Sequence, residues 1–143
     1  MPQVKIRWEG TFGDAGGDEG LLRQALLNLT RNAAEACALA DGGGRVAVCG
    51  EIVHGEEARV QRIRVTDNGP GIPANVAPKL FRPFFTTKAK GTGLGLAVVQ
   101  KIIVQHGGQI EVRNQTEGGA EFIITLPLPR SVPEAVESKQ TSI

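Results

Sequence analysis

The sequence VTDNGPGIP, residues 65–73, ends a β-branched run on an aspartate and follows it with two glycines and two prolines. Asn-Gly and Pro-Gly are strong turn signals, so an ordinary turn is one interpretation. The edge of a ligand site is the other. A carboxylate at the end of a half-buried strand is costly unless it accepts hydrogen bonds, and the exocyclic amine of adenine could donate one to Asp67. Gly69 and Gly71 would then let a flat ring lie against the backbone.

Length and composition restrict the class of protein. A chain of 143 residues with 41% hydrophobic residues suits one domain with a core of its own. The net charge of +1 argues against nucleic-acid or membrane-surface binding driven by a basic field. We see no signal peptide and no apolar run near the roughly 18 residues of a membrane span, so a cytoplasmic location is expected. Cys37 and Cys49 form no metal-binding motif and are expected to be small buried residues.

Hydrophobic periodicity predicts strands separated by helices. The predicted strands are 4–8, 45–53, 59–67, 109–114 and 120–127; the predicted helices are Glu19 to about Ala40, 74–81 and 94–106. Asp18 suits the N-cap of the first helix. We therefore expect an α+β fold, a two-layer α/β sandwich with a mixed, mostly antiparallel sheet of about five strands and about three helices on one face. Residues 1–128 form the predicted domain, and 129–143 a disordered tail or linker.

The first helix carries two asparagines four residues apart. Asn28 and Asn32 share one face, with Gln24 one turn before them and Glu35 three residues after. Asparagine is a poor residue for a helix interior, because its side chain competes for backbone hydrogen bonds. Stacked amide oxygens could ligate Mg²⁺, which takes few protein ligands and also holds phosphates. A solvated polar face is the alternative.

The segment 79–97 combines aromatic, basic and glycine residues. Phe81, Phe84 and Phe85 are either core anchors or a hinge that closes over a ligand, and residues 83–93 are expected to be mobile. Lys88 and Lys90 are either surface lysines or partners of phosphate. GTGLGLA (91–97) runs into a helix, whose N-terminal N–H groups bind phosphate well, although it has neither P-loop nor Rossmann spacing.

NLTRNAAEA, DNGPGI, LFRPFF and GTGLGLA occur in this order and together resemble the N, G1, F and G2 boxes of the Bergerat-fold ATPases. FFTTKAKGTGLGLAVVQKIIVQHGGQI is more similar to the catalytic ATP-binding domain of a two-component sensor histidine kinase of the nitrogen-sensor type, with a short lid. The resemblance covers residues 4–128 and implies ATP and Mg²⁺ as cofactors. It implies nucleotide contacts from Asn28, Asn32, Glu35, Asp67, Gly69, Gly71, Ile72, Phe84, Thr87, Lys88, Gly91, Thr92, Gly93, Leu94, Gly95 and Leu96, with Asn32 and Asn28 as metal ligands and Gln24 and Thr125 as weaker candidates.

The resemblance also implies the reaction and the partners. Related hydrolysing ATPases carry a glutamate where this chain has Asn28, and an amide is no general base, so no catalytic residue is assigned and transfer is favoured over hydrolysis. Neither His54 nor His106 has the context of a phosphoacceptor. We therefore expect a monomeric fragment of a longer kinase that donates the γ-phosphate to a histidine on a dimerisation/phosphoacceptor domain and, through it, to a response regulator. An anti-sigma-type serine kinase, a hydrolysing ATPase and a nucleotide-binding module without transfer activity are the alternatives.

Overall fold

The structure, a computed structural model, describes residues 4–82 and 95–129. Its strands are β1 (Val4–Gly10), β2 (Gly44–His54), β3 (Arg59–Asp67), β4 (Gln109–Asn114) and β5 (Ala120–Leu128), and its α-helices are α1 (Glu19–Ala36) and α2 (Gly95–Gln105). The expected mobile segment 83–93 lies entirely outside the described residues, as do residues 130–143 of the expected tail 129–143.

The five strands form one mixed sheet in the order β1-β2-β3-β5-β4. β1 runs parallel to β2, while β2–β3, β3–β5 and β4–β5 are antiparallel. The antiparallel pairing of the consecutive strands β2–β3 and β4–β5 confirms the predicted mostly antiparallel sheet. The parallel β1–β2 pair needs a long crossover, and α1 supplies it.

The core lies between the two helices and one face of the sheet, which confirms the predicted α+β sandwich. Alternate residues of β2, β3 and β5 point toward the helices and are buried, whereas their neighbours are partly exposed on the opposite face. Both helices add buried residues at helical spacing. The core residues include Ala25, Leu29, Ala33, Val46, Val48, Ile63, Val65, Val99, Ile103, Phe122 and Ile124.

The described helices are fewer and shorter than predicted. α1 ends at Ala36 instead of about Ala40, because the chain turns at Cys37 and continues through Gly42 and Gly43, which both have positive φ. Within 74–81 the only helix is a one-turn 3₁₀ helix, Ala77–Lys79. Pro78 has no N–H to donate and so interrupts any longer helix there.

The first strand is longer and more exposed than predicted. Its alternation is that of a half-buried strand, and Ile6 and Trp8 do pair with the core residues Val46 and Val48. As members of an edge strand they nevertheless remain 46% and 53% exposed. Trp8 makes its ring contact with Phe12, with centroids 6.1 Å apart.

Neither of the helices described in the structure is long and apolar enough to cross a membrane.

Candidate functional site

Asp67 is the buried carboxylate around which the candidate site is built. It is the last residue of β3, and its position in the strand alternation turns its side chain toward the helix layer, where it is 5% exposed. Its Oδ1 accepts hydrogen bonds from the backbone N–H of Gly69 at 2.8 Å and of Ala120 at 3.4 Å. Burial raises the pKa of Asp67 above its ordinary value of 3.8, and these two donors oppose the rise.

Gly69 and Gly71 are required by contacts within the protein. A Cβ on Gly69 would lie 2.5 Å from the carbonyl oxygen of Ala36, the last residue of α1. Gly71 has φ +86°, and its Cβ would lie 2.8 Å from Oδ1 of Asn114. Both glycines are therefore explained by backbone packing, and contact with a flat ring remains a prediction for them.

Amide side chains hold the segment 67–72, which we call the Asp67 loop. Asn68 accepts from the N–H of Arg45 at 2.6 Å and donates to the carbonyl of Gly43 at 3.1 Å. Gln115 Nε2 donates to the Asp67 carbonyl at 3.0 Å. These contacts tie the loop to the start of β2 and to the β4–β5 turn.

Asn114 closes the other end of the Asp67 loop. Its Oδ1 accepts from the N–H of Ile72 at 2.7 Å, and its Nδ2 donates to the carbonyl of Ile72 at 2.8 Å. Ile72 itself packs against the core. The sequence analysis missed Asn114 and Gln115; the available signal was two consecutive amides between a strand and a Gly-Gly turn.

Asn28 and Asn32 lie on the flank of the buried face of α1 and are both partly buried. Ala36, whose carbonyl faces Gly69, follows Asn32 by one helical turn, or about 6 Å along the axis. The asparagine pair is therefore close to the Asp67 loop, at the same end of the molecule. Glu35 is exposed at the same end of the helix.

The start of α2 lies toward the same end of α1. The two helices pack together, and Nε2 of His106, just after α2, accepts from the N–H of Asp18, the N-cap of α1, at 3.0 Å. The helices are therefore antiparallel. Counting about 1.5 Å per residue back from His106, Gly95 is level with the asparagine turns of α1. Gly95 is exposed and Leu96 packs against the core.

Both ring nitrogens of His106 make hydrogen bonds within the protein. Its Nε2 accepts from Asp18, so its Nδ1 carries the proton and donates to the carbonyl of Ile102 at 2.8 Å. His54 is exposed at the end of β2. That neither histidine is a phosphoacceptor remains a prediction.

The described structure brings together only part of the predicted site. Thr125 was a wrong candidate, because it alternates with the core residues Ile124 and Leu126 and so lies on the opposite face of the sheet. Gln24 is exposed on α1. Phe81, predicted as either a core anchor or part of a hinge, packs edge-on against the core residue Phe122 with centroids 6.3 Å apart. Seven predicted contacts lie outside the described residues: Phe84, Thr87, Lys88, Gly91, Thr92, Gly93 and Leu94.

The chemistry of the described site is that of binding. It has one buried acceptor in Asp67 and neutral oxygen donors in Asn28 and Asn32. No group of three or more His, Cys, Asp or Glu side chains that could hold a metal ion occurs within 4–82 and 95–129. The asparagine oxygens still suit Mg²⁺, because that ion keeps several waters and takes oxygen ligands.

Comparison with known proteins identifies the family of the chain. The family described as histidine kinase-, DNA gyrase B- and HSP90-like ATPase matches residues 17–130. The sensor histidine kinase ZraS of Escherichia coli K12 is 40% identical over 126 residues, which are 88% of this chain and 26% of that protein. The chain thus spans about a quarter of this relative.

Solved structures show the same fold. The catalytic domain of histidine kinase ThkA has a TM-score of 0.72 and 36% identity, covering 87% of this chain and 78% of that one. Histidine kinase ThkA in complex with the response regulator protein TrrA gives a TM-score of 0.68 and 32% identity, covering 88% of this chain and 34% of that one. The resemblance to sensor kinase catalytic domains is confirmed, and the chain belongs to the family of histidine kinase-, DNA gyrase B- and HSP90-like ATPases.

Proposed function

We propose that this chain is the part of a sensor histidine kinase that binds Mg·ATP and donates its γ-phosphate. The observation that carries the proposal is the buried Asp67 carboxylate, with Oδ1 fixed by two backbone N–H groups. A buried acceptor of this kind selects a ligand that donates a hydrogen bond, and the amine of adenine is such a donor. The family is described as ATPases, which supports ATP as the nucleotide.

Asn32 and Asn28 would hold the metal, with Asn32 the main ligand. Both are partly buried one and two turns from the residue of α1 that faces Gly69. Mg²⁺ held there would supply positive charge that offsets the charge of the phosphates. Gly95 and Leu96, at the start of α2, would lie beside the phosphates, where helix N–H groups favour negative charge. The predicted contacts within 83–94 would complete this side of the site.

Asn28 favours transfer of the γ-phosphate to another group over hydrolysis of ATP. Its amide cannot take a proton from water at neutral pH, so this turn of α1 offers no general base. The γ-phosphate is therefore retained until an acceptor arrives. We infer that neither His106, whose ring nitrogens both bond the protein, nor His54, at the end of β2, accepts the phosphate, and that the acceptor is a histidine of a separate dimerisation/phosphoacceptor domain.

The proposed protein partner beyond the acceptor domain is a response regulator. The acceptor domain would pass the phosphate to a response regulator, the class of protein bound to ThkA in the solved complex. The chain itself would act in the cytoplasm, where ATP is available, as a monomeric domain without nucleic-acid contact. Residues 1–128 would form this domain, with 129–143 as a tail or linker.

Phosphate transfer to a separate phosphoacceptor fragment tests the proposal. The chain is incubated with γ-labelled ATP, Mg²⁺ and the purified dimerisation/phosphoacceptor domain of a related sensor kinase, and label is followed on each polypeptide. We expect label on the fragment and none on this chain. Steady ATP turnover without acceptor, or label on this chain alone, would contradict the proposed reaction.

A further inference from the structure

The Asp67 loop is fixed at both ends by side chains from the β4–β5 hairpin. Gln115 donates to the carbonyl of Asp67, at the entry of the loop, and Asn114 bonds Ile72 at its exit. A Cβ on Gly119 would lie 1.9 Å from the Asp67 carbonyl oxygen, so the turn itself lies against the loop. The shape of the loop therefore depends on this hairpin.

Asn114 makes the more restrictive of these contacts. It bonds both the N–H and the carbonyl of one residue, Ile72, at 2.7 and 2.8 Å. Its own backbone pairs with Ala120 in the sheet, so it is anchored to a rigid element. Gly71, directly before Ile72, has positive φ and lies against Oδ1 of Asn114. The side chain thus acts as a short strand partner for the exit of the loop.

We propose that Asn114 is a positioning residue for adenine selection, and this inference rests on the proposed function. By holding Ile72 and Gly71 it keeps the loop in the form that places Asp67 against the base. A preformed loop need not be ordered when ligand binds, which removes an entropic cost from binding. It also keeps the Asp67 carboxylate in a fixed place, so that a guanine, which presents a carbonyl there, is rejected.

The test compares Asn114→Ala with a matched variant, Gln61→Ala. Gln61 is a buried amide that also ties a loop, accepting from Gly13 at 2.6 Å and donating to Thr11 at 3.0 Å, but it lies at the opposite end of β3 from Asp67. Dissociation constants for Mg·ATP and Mg·GTP are measured for each protein, together with thermal stability. The ratio of the two constants reports selection of the base independently of stability.

We expect Asn114→Ala to weaken Mg·ATP binding about tenfold, the effect of losing one or two hydrogen bonds. Its preference for ATP over GTP should fall, whereas Gln61→Ala should lose stability and keep the wild-type ratio. Asn114→Asp preserves size and the acceptor for the Ile72 N–H but cannot donate to the Ile72 carbonyl, and should shift the ratio in the same direction. Hydrogen exchange without nucleotide should show faster exchange of the Ile72 amide in Asn114→Ala only.

The outcomes separate the two proposals. An unchanged ratio in both Asn114 variants, or the same change in Gln61→Ala, would overturn the role of Asn114 and leave the proposed function standing. A wild-type chain that binds neither nucleotide would overturn the proposed function and, with it, this inference. Exchange of the Ile72 amide that is equally fast in wild type and Asn114→Ala would show that Asn114 does not fix the loop.

Discussion

At Asp67 the needs of binding and of stability oppose each other. The carboxylate is buried in the layer between sheet and helices, where its charge is poorly solvated. Two backbone donors offset only part of that cost, and the pKa of Asp67 is therefore raised. A neutral residue of the same shape would raise the free energy of unfolding, but it could not present the same acceptor to a ligand.

Asp67→Asn should accordingly be more stable than wild type at neutral pH. A raised pKa means that the native state holds this proton more tightly than the unfolded state, so wild-type stability falls as pH rises from the ordinary value of 3.8 through the native pKa. The amide can still accept from Gly69 and Ala120. We expect a gain of about 1 kcal/mol above that window and none below it, measured by thermal unfolding across pH. A stability difference that grows toward acid pH would contradict this account.

Gly69 and Gly16 offer a matched pair of glycines. Gly69→Ala would place Cβ 2.5 Å from the Ala36 carbonyl oxygen, so backbone must move, and we expect a loss of about 2 kcal/mol. At Gly16 a Cβ meets nothing within 4 Å among the described residues, and φ is not positive. Gly16→Ala should be neutral or stabilising by up to about 1 kcal/mol. Denaturant unfolding of both variants gives the comparison, and equal effects would show that Gly69 is not tightly packed.

At the scale of elements, His106 fixes how α1 and α2 are paired. It accepts from the N-cap residue of α1 and donates back into α2. This contact is at the end of the helix pair away from Asn32 and Gly95. It therefore supports the relative position of the two helices that the proposed phosphate site needs.

His106→Ala should lose about 1 kcal/mol of stability, because the Asp18 N–H loses its acceptor, while His54→Ala, at an exposed strand end, should be unchanged. Thermal unfolding measures both. Neither variant should lose the ability to phosphorylate a separate phosphoacceptor fragment when assayed well below its melting temperature. Abolished transfer in a folded His54→Ala protein would point to a direct role for that histidine.

Elements were more predictable than the contacts between them. The alternation of apolar and polar residues predicts β3 and β4 to the residue, since turn signals bound both strands. The end of α1 was missed because helix formers continue to Ala40, whereas the chain already turns at Cys37. The hydrogen bonds between Asn114 and Ile72 join residues 42 positions apart in the sequence, so no local pattern predicts them.

At the scale of the molecule, the end of β3, the β4–β5 turn and the end of α1 converge on a single end of the sandwich. Asp67 ends β3, the β4–β5 turn lies against it, and α1 ends at Ala36, whose carbonyl faces Gly69. Sequence patterns could indicate Asp67 and the asparagines separately, because each breaks a local rule for its element. Their proximity depends on how α1 packs on the sheet, which brings its last residue, Ala36, against Gly69.

Titration of the wild type and Asp67→Asn with Mg·ATP tests the central claim most directly. We predict wild-type binding in the micromolar range, about 1–100 μM, as is common for enzyme substrates. Asp67→Asn, although folded and at least as stable, should lose most of this affinity, because a donor then faces the adenine amine. Equal affinity of the two proteins would remove Asp67 from the nucleotide site and contradict the account.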